Sequence, residues 1–256
     1  MILEAVVLGI VQGITEFLPV SSTAHLILVP WFFNWSGEVD TLTFDVALHG
    51  GTLLSLLFCF WKDWIDLIAK KQRLFGLIIL ASIPAGLAGF FLNDFAEHTL
   101  RSPLLISMML IVAGCVMLLA EKARQHRNLS GTRLNDAIVI GAAQALAIIP
   151  GVSRSGITIS AGLFRGFGRE ASARFSFLLS TPIIAGATLL HFKKAFFDHG
   201  NHDFGLFAAG FLSSCITGII AIKFLLAFLK KHPLNLFVYY RFVLAVVIIA
   251  GIWLRR

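Results

Sequence analysis

Residues 149–156 read Ile149-Pro150-Gly151-Val152-Ser153-Arg154-Ser155-Gly156, and they interrupt an apolar region near 137–164. A straight helix crosses a membrane core with about 20 residues at ~1.5 Å each. This region is longer than one such span, and it is broken in its middle. Proline removes a helical donor and clashes with the preceding turn, whereas serine is favoured as an N-cap. The stretch therefore reads as helix, break, helix. An arginine inside it is costly, about 2.5–3.5 kcal/mol for a charge at a helix centre on insertion scales, and so needs a reason to be there.

A second region of the same kind lies near 3–33, broken at Phe17-Leu18-Pro19-Val20-Ser21-Ser22-Thr23. At an offset of 132, Gly9 matches Gly141, Gln12 matches Gln144, Val20 matches Val152 and Ser21 matches Ser153. Three long apolar runs follow each broken region: 44–61, 74–93 and 103–120, then 175–192, 205–229 and 236–254. The chain reads as two halves, 1–128 and 129–256, in one integral membrane domain. Three spans per half is odd, so a broken helix that returns to its own side leaves the second half inverted. The expected fold is an all-α polytopic membrane protein with six full spans and two re-entrant helix pairs.

Composition agrees. Of 256 residues, 57% are hydrophobic and only 14% charged, too few to cover a soluble globule. This excludes an ordinary soluble enzyme and a disordered chain, and long apolar runs argue against a β-barrel. The net charge of +7 is a matter of topology rather than of nucleic acid. If both broken pairs turn back, loops 62–73, 121–135, 164–174 and 230–235 share one side and carry most of the loop Lys and Arg, which places that side in the cytoplasm and both termini outside. Cys59, Cys115 and Cys215 lie in apolar runs and suggest neither disulfide nor zinc. Trp31, Trp35, Trp61, Trp64, Trp253, Tyr239 and Tyr240 fall near span ends, as an aromatic belt should. Lys223 and Arg241 are expected to snorkel, and His191, His199 and His202 to be solvated.

Glu16 and Arg154 are the clearest charges at membrane depth. A salt bridge that simply locks the halves is the plain alternative to a functional site. A break before a helix frees backbone N–H groups at the positive end of its dipole, a ready anion site. Ser21, Ser22, Thr23, Ser153, Ser155 and Thr158 add hydroxyl donors, and Arg154 adds a planar fork suited to phosphate oxygens. Gln12 and Glu16 share a helix face. His25 stands three residues after Ser22 and four after Ser21, which resembles an activated nucleophile with its base. Glu16 with Gln12 as a neutral oxygen ligand suits Mg²⁺ or Ca²⁺. Asp45 and His49, i and i+4, read equally well as support for the site or as interfacial residues.

Gln12-Gly-Ile-Thr-Glu16-Phe-Leu-Pro-Val-Ser-Ser-Thr-Ala-His25 and Pro150-Gly-Val-Ser-Arg-Ser-Gly-Ile-Thr158 resemble the two signature segments of the bacterial undecaprenyl-pyrophosphate phosphatases, the BacA/UppP bacitracin-resistance family. The likeness extends to Phe44-Asp-Val-Ala-Leu-His49, Ala81-Ser-Ile-Pro84, Phe175-Ser-Phe-Leu-Leu-Ser180 and Ala221-Ile-Lys223. It implies a bacterial inner-membrane hydrolase that removes the terminal phosphate of a C55 polyprenyl pyrophosphate lipid and recycles the carrier of cell-wall synthesis. It also implies divalent-metal dependence and re-entrant helices in an inverted repeat. The expected partners are the lipid substrate and membrane lipid, with a homodimer allowed, and the charge pattern points away from nucleic acid. By position it makes Glu16 the essential acid, Ser22 the nucleophile, His25 the base, and Arg154 with its flanking serines the pyrophosphate binder. Gln12 stands where many relatives carry Glu. The competing reading is a lipid-phosphate flippase or secondary transporter with a midplane anion site, since broken helices in inverted repeats are common there.

Overall fold

The computed structural model describes residues 1–197 and 203–255. His199 and His202 lie outside the described residues, as does the His191 side chain. The first half contains α1 (Ile2–Phe17), α2 (Ser22–Phe33), α3 (Leu42–Ala69), α4 (Gln72–Thr99) and α5 (Pro103–Glu121). The second contains α6 (Leu134–Ala145), α7 (Arg154–Phe164), α8 (Arg169–Phe197), α9 (Phe204–Leu229) and α10 (Asn235–Leu254). Among the described residues there is no strand, only an isolated bridge between Arg127 and Phe167. Six helices, α3–α5 and α8–α10, are long and apolar enough to span a membrane. They coincide with the six apolar runs of the sequence. Large side chains such as Phe90, Phe91 and Val243 are exposed on their outer faces, so lipid is their solvent.

The broken regions fold as read. The 16 residues of α1 and the 12 of α2 are each too short to span, and the two helices pack on each other, as α6 and α7 do. Each break ends in a serine N-cap at positive φ, Ser21 at 77° and Ser153 at 72°. Among the described residues the only other non-glycine residue with positive φ is Asn34. Ser21 Oγ accepts from the Ala24 N–H at 3.4 Å and Ser153 Oγ from the Gly156 N–H at 3.2 Å. A left-handed serine costs on the order of 1–3 kcal/mol and persists where its surroundings over-determine it.

Packing follows the same pairing of halves. α1 lies on α9 as α6 lies on α4, α3 meets α9 as α8 meets α4, and α5 pairs with α10. Gly9 and Gly141 stand at these equivalent contacts. A Cβ on Gly9 would strike the Ser213 side chain and the Gly210 carbonyl, and one on Gly141 the Ala81 backbone, so only glycine allows either approach.

Ion pairs tie the basic loops into one end of the molecule. Arg174 reaches Asp63 at 3.3 Å, Arg169 reaches Glu121 at 2.7 Å and Lys230 reaches Glu170 at 3.6 Å. At the start of α6 the fully buried Asp136 accepts from Arg127 at 2.6 Å and Arg165 at 2.7 Å.

Arg241 departs from its expected snorkelling. It is fully buried in α10 and donates to the carbonyls of Leu110 at 3.1 Å, Pro19 at 3.2 Å, Gly151 at 2.6 Å and Val152 at 3.1 Å. The guanidinium has five donors and no acceptor, which suits the Pro19, Gly151 and Val152 carbonyls, freed where two helices stop, with the α5 carbonyl of Leu110 beside them. The sequence showed a cation in an apolar run but not which carbonyls would surround it.

Candidate active site

The two breaks meet, and their polar side chains converge on one cavity of about 330 Å³. Glu16 comes from the last turn of α1, Ser22 is the first residue of α2, and Arg154 is the first residue of α7. Ser22 Oγ donates to Glu16 Oε2 at 2.5 Å, and Arg154 Nη2 donates to Glu16 Oε1 at 2.6 Å. Gln12 Nε2 also donates to Glu16 Oε2, at 3.2 Å. Glu16 is only 7% exposed, and the carboxylate is fully engaged. The salt bridge across the halves therefore exists, but it forms one wall of a cavity rather than a closed latch. Arg154 Nη1 is buried without a partner beside that cavity.

Ser21, Ser22, Thr23 and Ser153 line the cavity with Glu16 and Arg154. The Ser21 hydroxyl also accepts from the Gly151 N–H at 3.2 Å, which joins the first break to the second. Ser155 and Thr158 do not line it. Ser155 Oγ donates to the Leu18 carbonyl at 3.2 Å, and Thr158 Oγ1 donates to the Arg154 carbonyl at 2.7 Å and meets Ser176 Oγ at 2.6 Å. Their expected role as anion donors is corrected: they hold the break in shape. Ser155 follows Arg154 by one residue and so leaves its face, while the Thr158 hydroxyl is drawn back to the Arg154 carbonyl and to Ser176 on α8.

His25 also departs from expectation. Its Nδ1 is 2.8 Å from the Ser21 carbonyl and its Nε2 is 2.7 Å from the Tyr240 hydroxyl, so neither nitrogen meets Ser22. The spacing of three residues is right for adjacency on a helix, but the ring turns toward α10. Tyr240, expected only in the aromatic belt, is its partner. The oxygen that does meet Ser22 belongs to Glu16. His49, undecided from sequence, lines the cavity: its Nδ1 bonds the Asp45 carbonyl at 2.7 Å and its Nε2 stands 3.7 Å from Glu16 Oε2. The i, i+4 spacing with Asp45 was legible; the approach to Glu16 from another helix was not.

The residues also bear on a divalent cation. Gln12 Oε1 is buried with no partner while its Nε2 faces Glu16, the orientation that avoids opposing oxygens. As placed, Gln12 offers Glu16 an N–H rather than its oxygen and does not line the cavity, so the two would make an oxygen-only pair for a hard cation only with the amide turned over. Among the described residues no three His, Cys, Asp or Glu side chains gather as a metal cluster. Such an ion would rely on ligand oxygens and water for the rest of its shell.

Fold and site together define a polytopic α-helical membrane protein with a serine–carboxylate–arginine centre built into two broken helices. The chain belongs to the family described as bacitracin resistance protein BacA, whose profile matches residues 5–247. It is 59% identical to a protein of Thermodesulfovibrio yellowstonii named undecaprenyl-diphosphatase, over 96% of this chain and 95% of that one. A protein of the same name from Moorella thermoacetica is 49% identical over 100% of this chain and 99% of its own length. A third, from Desulforudis audaxviator, is 48% identical over 98% of both.

Proposed function

We propose that this protein is an undecaprenyl-diphosphatase, which hydrolyses the terminal phosphate of undecaprenyl pyrophosphate to give undecaprenyl phosphate and inorganic phosphate. The observation that carries the reading is the Ser22–Glu16–Arg154 chain of hydrogen bonds in one cavity. A transporter of anions needs the arginine and the helix N-termini, but not a hydroxyl held against a carboxylate.

Ser22 Oγ attacks the terminal phosphorus while Glu16 Oε2 takes its proton. The new bond is Oγ–P; the bond that breaks joins that phosphorus to the bridging oxygen, which leaves with the lipid phosphate. Water then attacks the phosphoserine: its oxygen bonds the phosphorus, the Oγ–P bond breaks, Glu16 returns its proton to Ser22 Oγ, and the protons of the water leave on the inorganic phosphate. Arg154 spreads positive charge over the phosphoryl oxygens, and the free N–H groups of α2 and α7 add to it. His25, held between Ser21 and Tyr240, keeps the turn before Ser22 in place, and His49 faces the Glu16 carboxylate from α3 at 3.7 Å. A bound Mg²⁺ or Ca²⁺, held by Glu16 and Gln12, would supply further charge neutralisation to the phosphates.

The cavity continues into an apolar wall from α4 and α8, including Ala85, Ile183 and Ala187, which suits a prenyl chain. Matched breaks and matched helix pairings support an inverted repeat with two re-entrant pairs. The shared end of the basic loops supports a bacterial inner-membrane orientation with that end in the cytoplasm and both termini outside.

The test is phosphate release from a prenyl diphosphate by the purified protein in detergent. The reading requires release by the unaltered chain and its loss, by about 10³-fold or more, in Ser22→Ala. Release that persists in Ser22→Ala would remove the nucleophile and leave water as the attacking group.

A further inference from the structure

Gln144 closes the last turn of α6 at the position that matches Gln12 in the first half. It is 2% exposed, lines the central cavity, and neither Nε2 nor Oε1 has a partner in the protein. Because both ends are unpaired, exchanging them leaves the same result. Buried polar groups are almost always paired, so a buried amide open at both ends beside a cavity points to a ligand. Arg154 Nη1 is unpaired on the same cavity, while its Nη2 is committed to Glu16. α7 begins at Arg154, capped by Ser153, which also lines the cavity.

The elements that line the cavity bear on which part of a ligand Gln144 would meet. The apolar wall belongs to α4 and α8, and α6 packs directly on α4. α7, which carries Arg154, packs on both α6 and α8, and Arg154 bonds Glu16, the carboxylate that also holds Ser22. A prenyl chain lying on the apolar wall brings its own phosphate to Gln144 before the terminal one reaches Ser22.

We propose that Gln144 is a substrate-binding residue that grips the lipid-side phosphate of the diphosphate. Its amide N–H donates to an oxygen of that phosphate, and its carbonyl accepts from a bound water or a protonated phosphate oxygen. The lipid-side phosphate is the leaving group and gains charge as the bridging bond breaks, so the contact acts on the chemical step as well as on binding. This rests on the diphosphatase reading and adds to it a protein contact for the lipid-side phosphate.

The experiment uses the full chain in detergent with Gln144→Leu and the isosteric Gln144→Glu. Measured are kcat/KM for a prenyl diphosphate and inhibition by a prenyl monophosphate and by inorganic phosphate. Loss of one hydrogen bond to a charged group predicts a fall in kcat/KM of about 10- to 100-fold in both variants. The inhibition constant of the monophosphate should rise by about 10-fold, while that of inorganic phosphate stays within about twofold. Should Gln144→Leu fail to fold, the isosteric variant decides alone. Unchanged monophosphate inhibition, or weakened inhibition by inorganic phosphate alone, overturns the proposal. An unaltered protein that releases no phosphate removes the diphosphatase reading instead; direct binding of the monophosphate to that protein and to Gln144→Glu then still decides what Gln144 does.

Discussion

The two breaks share a backbone and differ in side chains. Each ends in a serine at positive φ whose hydroxyl caps the third residue on, and each lays its first arm on an equivalent partner helix through an equivalent glycine. The residue that starts the second arm is Ser22 in the first break and Arg154 in the second. Where the first has Glu16, the second has Ile148. One fold element, used twice, therefore presents a nucleophile with its carboxylate on one side and a fixed cation on the other. The shared part builds the anion cradle, and the divergent part makes it reactive. Two identical breaks would place either two arginines or two serine–glutamate pairs together, and neither set pairs attack with charge neutralisation.

Changes on the reactive side should do the most damage. Glu16→Gln keeps the shape but removes both the proton acceptor and the partner of Arg154; phosphate release should fall by about 10³-fold, with binding of a prenyl monophosphate retained. On the cationic side, Arg154→Lys keeps the charge and loses the fork that serves Glu16 and the cavity at once. Steady-state kinetics should show a fall in kcat/KM of about 10²-fold, smaller than for Glu16→Gln. Equal losses in the two variants would mean that the breaks are not divided as described.

The shared part can be tested by altering the caps in parallel. Ser21→Ala and Ser153→Ala each remove an N-cap worth about 1 kcal/mol and place alanine at a positive φ. Ser21→Ala should be the worse of the two in thermal unfolding, because its hydroxyl also holds the Gly151 N–H. Ser21→Gly, free of the φ penalty, should melt above Ser21→Ala. The smallest effect is expected at Tyr240→Phe, which strips one hydrogen bond from His25 and should lower kcat by less than about 10-fold. If His25 positions the turn rather than taking the proton, its replacement by Gln lowers kcat without moving the pH profile of the reaction. A moved profile would return the base to His25.

How much was legible follows from how far each signal extends along the chain. Six spans and two breaks were readable because apolar run length, proline and capping serines act within a turn or two. Glu16, Arg154 and Ser22 stood out because polar groups are rare at such depth. His25 misled, since spacing fixes its place on α2 but not the rotamer that turns it toward Tyr240. Ser155 and Thr158 misled in the same way, being polar residues near a site that face its scaffold. Gln144 had a visible signal in its match to Gln12, but a repeat match alone names no ligand. Its open amide is a fact of burial.

The sequence by itself determined the elements, because hydrophobic length and backbone breaking are local properties. Only the tertiary structure decided which polar groups share the cavity. Glu16 meets Arg154 across 138 positions and Arg241 gathers carbonyls from both breaks. Such contacts depend on how the helices pack, through close glycine approaches and freed carbonyls that need donors. No local pattern in the chain encodes that arrangement.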